Sequence, residues 1–281
     1  MASWIHMGSS AKRLIKLSVS IVFFAACWAG NVIRRWTGRV ASGSSVIIYY
    51  HGIRPDLRSK FAEQMDMMLR WTTPVDLSVG SRLDGAGRYV AVTFDDGFVS
   101  FLESALPELE KRKITSTLFV VAERLGCYPE WDEYIEDPSF KESIMTREQL
   151  LALPPESVVI GSHTLTHPFL TRVTPGEAKR ELRDSRVVLE KMLGRKVSLF
   201  SFPHGDFNDQ LVEWCRESGY EHVYTILPEA SFCDSGKYVI GRVGVNLTDW
   251  RIEFLLKILG AYSWLPQAFT LKRRLLSSPA A

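Results

Sequence analysis

The hydrophobic and polar positions of the chain follow two alternating periodicities. Short apolar runs rich in β-branched residues predict buried strands, and apolar residues three and four positions apart predict helices. The predicted strands cover 46–50, 89–94, 116–121, 158–161, 197–202, 222–226 and 238–243. The predicted helices cover 59–71, 100–113, 146–153, 174–192 and 208–218. This alternation predicts an α/β fold with a parallel sheet, and about seven units in about 200 residues favour a barrel over an open sheet.

Both ends of the chain differ from this alternating body, 46–249. Residues 17–33 carry no charge and are just long enough to cross a bilayer, so we expect 1–36 to be an uncleaved membrane anchor. A cleaved signal peptide and an interfacial or packed helix are the alternatives. Residues 37–45 are a linker of small residues. Residues 250–281 predict an amphipathic basic helix, which either packs on the barrel or lies in a membrane plane.

Charge is unevenly distributed along the chain. The formal net charge is +2, yet residues 1–40 hold six basic residues and no acid, and 250–281 hold five basic residues against one acid. Basic, apolar ends on an acidic body predict a membrane surface as a partner. No pattern of a nucleic-acid-binding module is present, so we expect no nucleic acid partner. The four cysteines lack CxxC spacing and predict isolated thiols, with a Cys215–Cys233 bridge as the alternative.

Two adjacent carboxylates, Asp95 and Asp96, follow the predicted strand 89–94, and Gly97 lets the backbone turn. In alternating α/β folds, ligands bind at the carboxyl ends of the strands. Two carboxylates at this position repel each other, and a bound cation is the simplest way to hold them. A carboxylate without cation contact is then free to act as a base.

Four of the six histidines also follow predicted strands: His51, His163, His167 and His204. A single histidine is usually structural, but four that converge with two carboxylates on one face indicate a site. His163 and His167 are four residues apart, and on a helical turn their imidazoles would meet at one point. That arrangement suits a two-histidine metal site, which one carboxylate would complete with open positions for water and substrate.

Two segments carry a family resemblance. Thr93-Phe94-Asp95-Asp96-Gly97 and His163-Thr164-Leu165-Thr166-His167-Pro168 resemble the motifs of the polysaccharide deacetylase family with the NodB homology domain, carbohydrate esterase family 4. The resemblance covers roughly residues 46–245. It implies a distorted (β/α)7-type barrel that removes N-acetyl groups from an amino-sugar polysaccharide or glycan intermediate.

The same resemblance assigns roles to four of these side chains. It implies that Asp96, His163 and His167 hold a divalent metal and that Asp95 is the base toward a metal-activated water. Zinc is the expected metal, and cobalt, nickel and manganese suit the same ligands. The implied partner is an N-acetylated glycan.

The chain departs from the family pattern after the predicted strand 197–202. Many members have an Arg-x-Pro-Tyr type motif there, where this chain has Ser201 in place of the arginine and His204 in place of the tyrosine. The family's late histidine, its usual general acid, has no clear counterpart. We therefore expect His51 to be the acid, because Tyr49-Tyr50-His51-Gly52-Ile53 looks like a strand of exopolysaccharide deacetylases, and His204 is the second candidate.

Four residues are candidates for contact with substrate or its oxyanion: Phe202, Pro203, Gly205 and Arg242. Arg242 could instead orient Asp95 in place of the missing arginine, and an ordinary ion pair is the alternative.

Two other functions remain open at this point. One is deacylation or deformylation of a lipid-linked sugar, and the other is membrane-tethered glycan binding without catalysis. A two-carboxylate glycosidase is disfavoured, because adjacent residues at one strand end cannot flank a sugar from opposite sides.

Overall fold

The computed structural model describes residues 9–39, 43–77, 87–129, 131, 142–230 and 237–268. The strands are β1 (Ser44–Tyr50), β2 (Thr73–Pro74), β3 (Arg88–Phe94), β4 (Ser116–Val120), β5 (Val158–Ser162), β6 (Leu199–Ser201), β7 (His222–Thr225), β8 (Val239–Gly241) and β9 (Val243–Gly244). The helices are α1 (Ser9–Trp36), α2 (Arg58–Trp71), α3 (Leu106–Lys111), α4 (Arg147–Leu151), α5 (Pro175–Leu193), α6 (Asp209–Glu217) and α7 (Arg251–Ile258).

The strands form one parallel sheet in the order β8-β7-β6-β5-β4-β3-β1-β9, and β2 also pairs with β3. This confirms the parallel sheet that the alternating pattern predicts. Because all strands point the same way, the residues that follow β1, β3 and β5 lie at one end of the sheet. We call this end the mouth and the opposite end the base.

The segment 239–244 brings the two edges of the sheet together into a nearly closed barrel. Its first half, β8, pairs with β7, and its second half, β9, pairs with β1. Arg242 lies between the two halves and donates its backbone N–H to Thr225 O at 3.0 Å. The predicted single strand 238–243 is therefore two short strands, because the chain changes partner midway. The barrel confirms the predicted fold class.

Strands are buried on both faces, which explains why they are continuous apolar runs. Val46 and Ile48 of β1 pack in the larger core cluster together with residues of the surrounding helices. Ile47 between them packs in a separate cluster with Phe119 and Tyr224 from other strands. The alternation along β1 therefore fills two layers, one on each side of the sheet.

Local signals fix the helix ends where the sequence predicts them. Thr174 caps α5 in a capping box with Glu177, and Gly194 ends that helix with a left-handed φ of 64°. Thr146 and Gln149 form the same box at the start of α4.

The predicted helix 100–113 is not a regular α-helix. It begins with a π-helical turn, Phe101–Ala105, in which Leu106 N–H donates to Phe101 O, and only then becomes α3. Pro107 has no N–H with which to bond Glu103 O, so the α-helical pattern cannot run through this point. Arg58 Nη1 donates to that carbonyl instead, at 3.3 Å.

Two boundaries near the ends of the chain differ from those that the sequence predicts. Ser44 and Ser45, counted as linker, already belong to β1. The helix predicted for 250–281 is described from Arg251 to Ile258, where it buries Phe254 and Leu256 and contacts α2 and β1. This part of the chain packs on the barrel, and the basic residues 272–274 lie outside the described residues.

Cysteine positions agree with isolated thiols where they are described. Cys27 and Cys127 are exposed and Cys215 is buried, and none of the three forms a disulfide among the described residues. Cys233 lies outside the described residues, so its pairing stays a prediction.

Candidate active site

The two carboxylates after β3 sit at the mouth and point in different directions. Asp95 N–H donates to Tyr50 O at 2.9 Å and extends the β1–β3 ladder by one step. Asp96 then adopts a left-handed φ of 72°, and Gly97 follows with a φ of 82°. Both carboxylates are buried. A left-handed aspartate costs conformational energy, and such strain is concentrated at functional sites.

The loop after β5 carries the two histidines, and it is not the helical turn that the sequence predicts. Thr164 and His167 both have left-handed φ values, 70° and 67°, so the chain folds back instead of winding into a helix. Glu181 of α5 holds this loop, because its Oε2 accepts hydrogen bonds from Leu165 N–H at 2.8 Å and Thr166 N–H at 3.0 Å. The imidazoles still converge, with ring centroids 4.9 Å apart.

Asp96, His163 and His167 form a buried cluster that could hold a metal ion. One ligand atom from each lies within 4.8 Å of the others. Asp96 Oδ1 lies 3.5 Å from His163 Nε2 and 3.3 Å from His167 Nε2. It has no hydrogen-bond partner among the described residues, although buried carboxylate oxygens normally have one. Two imidazoles and an oxygen that all face one point fit a divalent metal.

His163 is held in the form that a metal ligand needs. Its Nδ1–H donates to Ser201 O at 2.7 Å, which leaves the Nε2 lone pair directed toward Asp96. Burial lowers the pKa of His163 to about 4, so the ring is neutral at physiological pH.

Arg242 lies against Asp95 and is fully buried. Its Nη1 and Nη2 donate to Asp95 Oδ1 and Oδ2, each at 2.7 Å, in a bidentate pair. Nη2 also donates to Ser201 Oγ at 2.7 Å, and Nη1 to Thr93 Oγ1 at 3.1 Å. Arg242 is therefore placed to orient Asp95, and its buried guanidinium has no exposed surface for a substrate.

The charges around the carboxylates keep both of them ionised. Burial by itself raises the pKa of Asp95, but the Arg242 guanidinium outweighs it and holds that pKa below the usual range. Burial also raises the pKa of Asp96, but the His167 imidazole beside it lowers that pKa far below the usual range. An ionised Asp95 can accept a proton, and an ionised Asp96 can bind a cation.

The two candidate acids lie in different parts of the site. His51 directly follows β1, stands edge-on to Tyr49 at 5.8 Å between ring centroids, and lies near enough to Asp95 and Asp96 to affect the pKa of both. His204 stacks on Phe169 at 3.8 Å and contacts the His167 ring at 4.4 Å. His51 thus lies near the two carboxylates, and His204 lies beside the His167 ring.

The N–H groups of Phe202 and Gly205, two of the expected substrate or oxyanion contacts, are hydrogen-bonded within the fold. Phe202 N–H donates to Tyr224 O at 3.1 Å, and the side chain packs in the core. Pro203 has no N–H, and Gly205 N–H donates to Phe202 O at 3.1 Å. Both N–H groups are used within the fold, so contact of this segment with substrate stays a prediction.

Three further residues belong to the site without having been identified from the sequence. Glu181 shapes the histidine loop, and it looks like any other acid on a predicted helix. Trp131 stacks on the His167 ring at 4.1 Å. Glu142 Oε1 accepts from Ser100 N–H, and burial raises the pKa of Glu142.

Comparison with protein families gives one match. A family model described as polysaccharide deacetylase matches residues 83–223, about half of the chain. The matched range includes Asp95 and the three residues of the buried cluster, Asp96, His163 and His167.

Curated relatives match over similar lengths. The peptidoglycan-N-acetylmuramic acid deacetylase PdaC of Bacillus subtilis is 29% identical over 138 residues, which cover 49% of this chain and 26% of PdaC. A peptidoglycan-N-acetylglucosamine deacetylase of Bacillus cereus is 25% identical over 132 residues, which cover 47% of this chain and 42% of the relative. The chain thus spans less than half the length of either relative.

Solved structures show the same fold over a larger part of the chain. The structure of IcaB from Ammonifex degensii superimposes with a TM-score of 0.64 and 24% identity, covering 78% of this chain and 97% of IcaB. The Streptococcus pyogenes deacetylase PplD, solved with acetate, gives a TM-score of 0.63 and 20% identity, covering 78% of this chain and 99% of PplD.

Proposed function

The chain belongs to the polysaccharide deacetylase family, and on this basis we propose that it is a metal-dependent hydrolase. Its substrate would be an N-acetylated amino-sugar polysaccharide or a glycan intermediate, from which it removes acetyl groups. The observation that supports this most is the pairing of a buried Asp-His-His cluster with a separately held carboxylate, Asp95. Relatives named for peptidoglycan deacetylation support an acetylated amino sugar as the substrate class.

Asp96, His163 and His167 would hold the metal, which we propose to be zinc, with cobalt, nickel or manganese as substitutes. A divalent metal at this position supplies Lewis acidity, which lowers the pKa of water and polarises an amide oxygen. The protein prepares the ligands in advance, because Ser201 O fixes the tautomer of His163 and Glu181 fixes the loop of His167.

Asp95 would act as the general base. The bidentate hydrogen bonds from Arg242 hold both carboxylate oxygens of Asp95 and keep this carboxylate ionised, so that Asp95 can accept a proton from the attacking water. Arg242 itself would be a positioning residue, since its contacts are with Asp95, Ser201 and Thr93 and it is fully buried.

His51 would donate the proton that the leaving amine requires, because an amide anion is a poor leaving group. Its place beside both carboxylates supports this role better than the place of His204 against Phe169 does. The resemblance of Tyr49-Tyr50-His51-Gly52-Ile53 to exopolysaccharide deacetylases also favours an exopolysaccharide among the candidate substrates.

The experiment that tests this proposal compares Asp95→Asn with Asp96→Asn in the full-length protein. Acetate release from N-acetylated oligosaccharides and bound metal are measured on the same preparations. Asp95→Asn should keep the metal and lose acetate release, whereas Asp96→Asn should lose both. Full acetate release by either variant would refute the proposal.

The acid can be identified with two substrates that differ in leaving group. His51→Ala should slow amide hydrolysis strongly but slow hydrolysis of an aryl acetate much less, because a phenolate leaves without a proton. His204→Ala is the matched control and should affect both substrates similarly. An equal loss on both substrates for His51→Ala would remove it as the acid.

A second function is favoured by the apolar surface of α1, where Val22 and Trp36 are exposed. It is deacylation or deformylation of a sugar linked to a membrane lipid, at the same site. Release of formate or a longer acid from a lipid-linked sugar, without acetate release from soluble oligosaccharides, would establish this function instead.

A further inference from the structure

Helix α1 is packed along one face against the barrel. Arg13 Nη2 donates to Glu253 Oε2 at 2.6 Å, and the Arg13 guanidinium lies 4.4 Å from the centre of the Trp250 ring. Leu17 is buried in a cluster with residues of the C-terminal segment. One turn on, Ser20 Oγ accepts from Trp264 Nε1 at 3.0 Å. The first half of α1 is thus fixed to the segment 250–264.

The second half of α1 remains next to the barrel. A cleft of about 400 Å³ lies between them, lined by Phe24, Trp28 and Arg35 on the helix and by Ser44 and Arg88 at the base. Residues 13–35 therefore lie beside the folded body along nearly the whole helix.

This position conflicts with α1 crossing a bilayer. Among the described residues, α1 is the one helix whose length and apolar character would allow it to span. Spanning needs about 20 residues surrounded by lipid, about 30 Å of helix. Over any such stretch, the contacts of α1 would either break or draw charged residues of the barrel, Glu253 or Arg88, into the hydrocarbon, and buried charges there are costly.

The opposite face of α1 is apolar and exposed. Val22 is 69% exposed and Trp36 is 89% exposed, and Val19 and Ile33 lie on the same side. Nothing among the described residues covers this face. A helix that is apolar on both faces is normally buried on both, so the outer face needs a partner.

The charges on α1 indicate the chemistry of that partner. The helix contains no acidic residue, and its exposed basic residues include Lys12 and Lys16 near its start and Arg34 near its end. An apolar face flanked by basic side chains complements an anionic lipid surface, with the apolar groups among the acyl chains and the cations near the phosphates.

We propose that α1 lies in the plane of an anionic phospholipid surface and holds the barrel with its axis parallel to that surface. The N-terminal half of α1 contacts Thr248 and Glu253, which follow β9 near the mouth. Its C-terminal half reaches Ser44 and Arg88, where β1 and β3 begin at the base. The helix thus runs along the barrel axis, and the mouth opens sideways at the level of the membrane surface. The inference rests on α1 and not on the proposed hydrolysis.

The first test is the topology of the full-length protein carrying an N-terminal and a C-terminal epitope tag in sealed membranes. An in-plane helix predicts that external protease removes both tags or neither. One tag removed and one protected would show that α1 spans and would overturn the proposal. Loss of the N-terminal tag from the mature protein would identify a cleaved leader and would also overturn it.

The second test is sedimentation with vesicles of phosphatidylcholine alone or with about one third phosphatidylglycerol. The protein should bind the anionic vesicles, and binding should fall in high salt. Val22→Asp should reduce the bound fraction about tenfold or more, because it places a charge in the apolar face. Val187→Asp is the matched control, because Val187 on α5 is also more than half exposed, and it should bind normally.

Two results of the second test would contradict the proposal. One is normal vesicle binding by Val22→Asp. The other is a wild-type protein that does not bind vesicles but forms a dimer in solution, together with a monomeric Val22→Asp variant. That result would assign the apolar face to a second copy of the chain.

The contact between α1 and the barrel has its own test. Arg13→Glu should lower the thermal unfolding temperature, and Arg13→Glu with Glu253→Arg should recover part of the loss, because the pair is restored in reverse. Unchanged unfolding in Arg13→Glu would show that α1 is not fixed to the barrel.

Discussion

Replacing Arg242 with leucine removes the cation that faces Asp95. The two side chains are 0% and 4% exposed, and both hydrogen bonds between them are 2.7 Å long. Arg242→Leu leaves the Asp95 carboxylate buried without its partner, which costs about 3–5 kcal/mol in comparable cases. At about 2–4 °C for each kcal/mol, the unfolding temperature should fall by roughly 6–20 °C.

The assay is thermal and urea unfolding of the full-length protein, followed by circular dichroism. Arg54→Leu is the matched control, because Arg54 also forms paired hydrogen bonds with a carboxylate, Asp56, and these two side chains are 36% and 60% exposed. Exposed pairs contribute about 1 kcal/mol or less, so this variant should change little. Acetate release should also fall sharply in Arg242→Leu, because the base loses its orientation.

A double variant distinguishes two effects on stability, that of the unpaired buried charge and that of the lost packing. Arg242→Leu with Asp95→Asn has no unpaired charge at position 95, so it should be more stable than Arg242→Leu alone. If the free energy of unfolding of Arg242→Leu lies within about 1 kcal/mol of the wild-type value, the buried pair does not stabilise the fold as its burial implies.

Three further predictions concern the histidine loop, the mouth and the thiols. Glu181→Gln should weaken metal binding by about 10–100-fold, measured by calorimetry, whereas Glu177→Gln at the exposed cap of the same helix should not; equal affinities in both variants would contradict the role of Glu181. Gly205→Ala should lower the free energy of unfolding by at least about 1 kcal/mol, because φ is 65° and the new Cβ would lie 2.3 Å from Ile226 Cγ1. The control is Gly176→Ala on α5, whose new Cβ meets no neighbour, so it should be neutral or stabilising in the same urea titration. Maleimide labelling followed by mass spectrometry should modify Cys27 and Cys127 in the native protein and Cys215 only after unfolding; rapid native labelling of Cys215 would argue against its burial.

The sequence was sufficient to predict the barrel and the residues that converge at its mouth. The apolar run before Asp95 predicted a strand end with two carboxylates, and strand direction alone places His51 and His163 at the same end. These predictions succeed because the period of a buried strand and the direction of a parallel sheet are local properties.

Other features depend on contacts between distant residues, which no local pattern encodes. The histidine loop is not helical, because Glu181 from another element binds its backbone and Thr164 takes a left-handed conformation. Barrel closure depends on one segment that changes partner at Arg242. The sequence suggested Arg242 beside Asp95 only as one alternative, since 147 residues separate them.

The central claim is that this chain uses a metal held by Asp96, His163 and His167 to hydrolyse N-acetyl groups on a glycan. The most direct measurement is acetate release from defined N-acetylated oligosaccharides by the purified full-length protein, before and after removal of metal with a chelator. We predict that release stops on chelation and returns when zinc, cobalt, nickel or manganese is added. Acetate release that continues at an unchanged rate in metal-free protein would contradict the account.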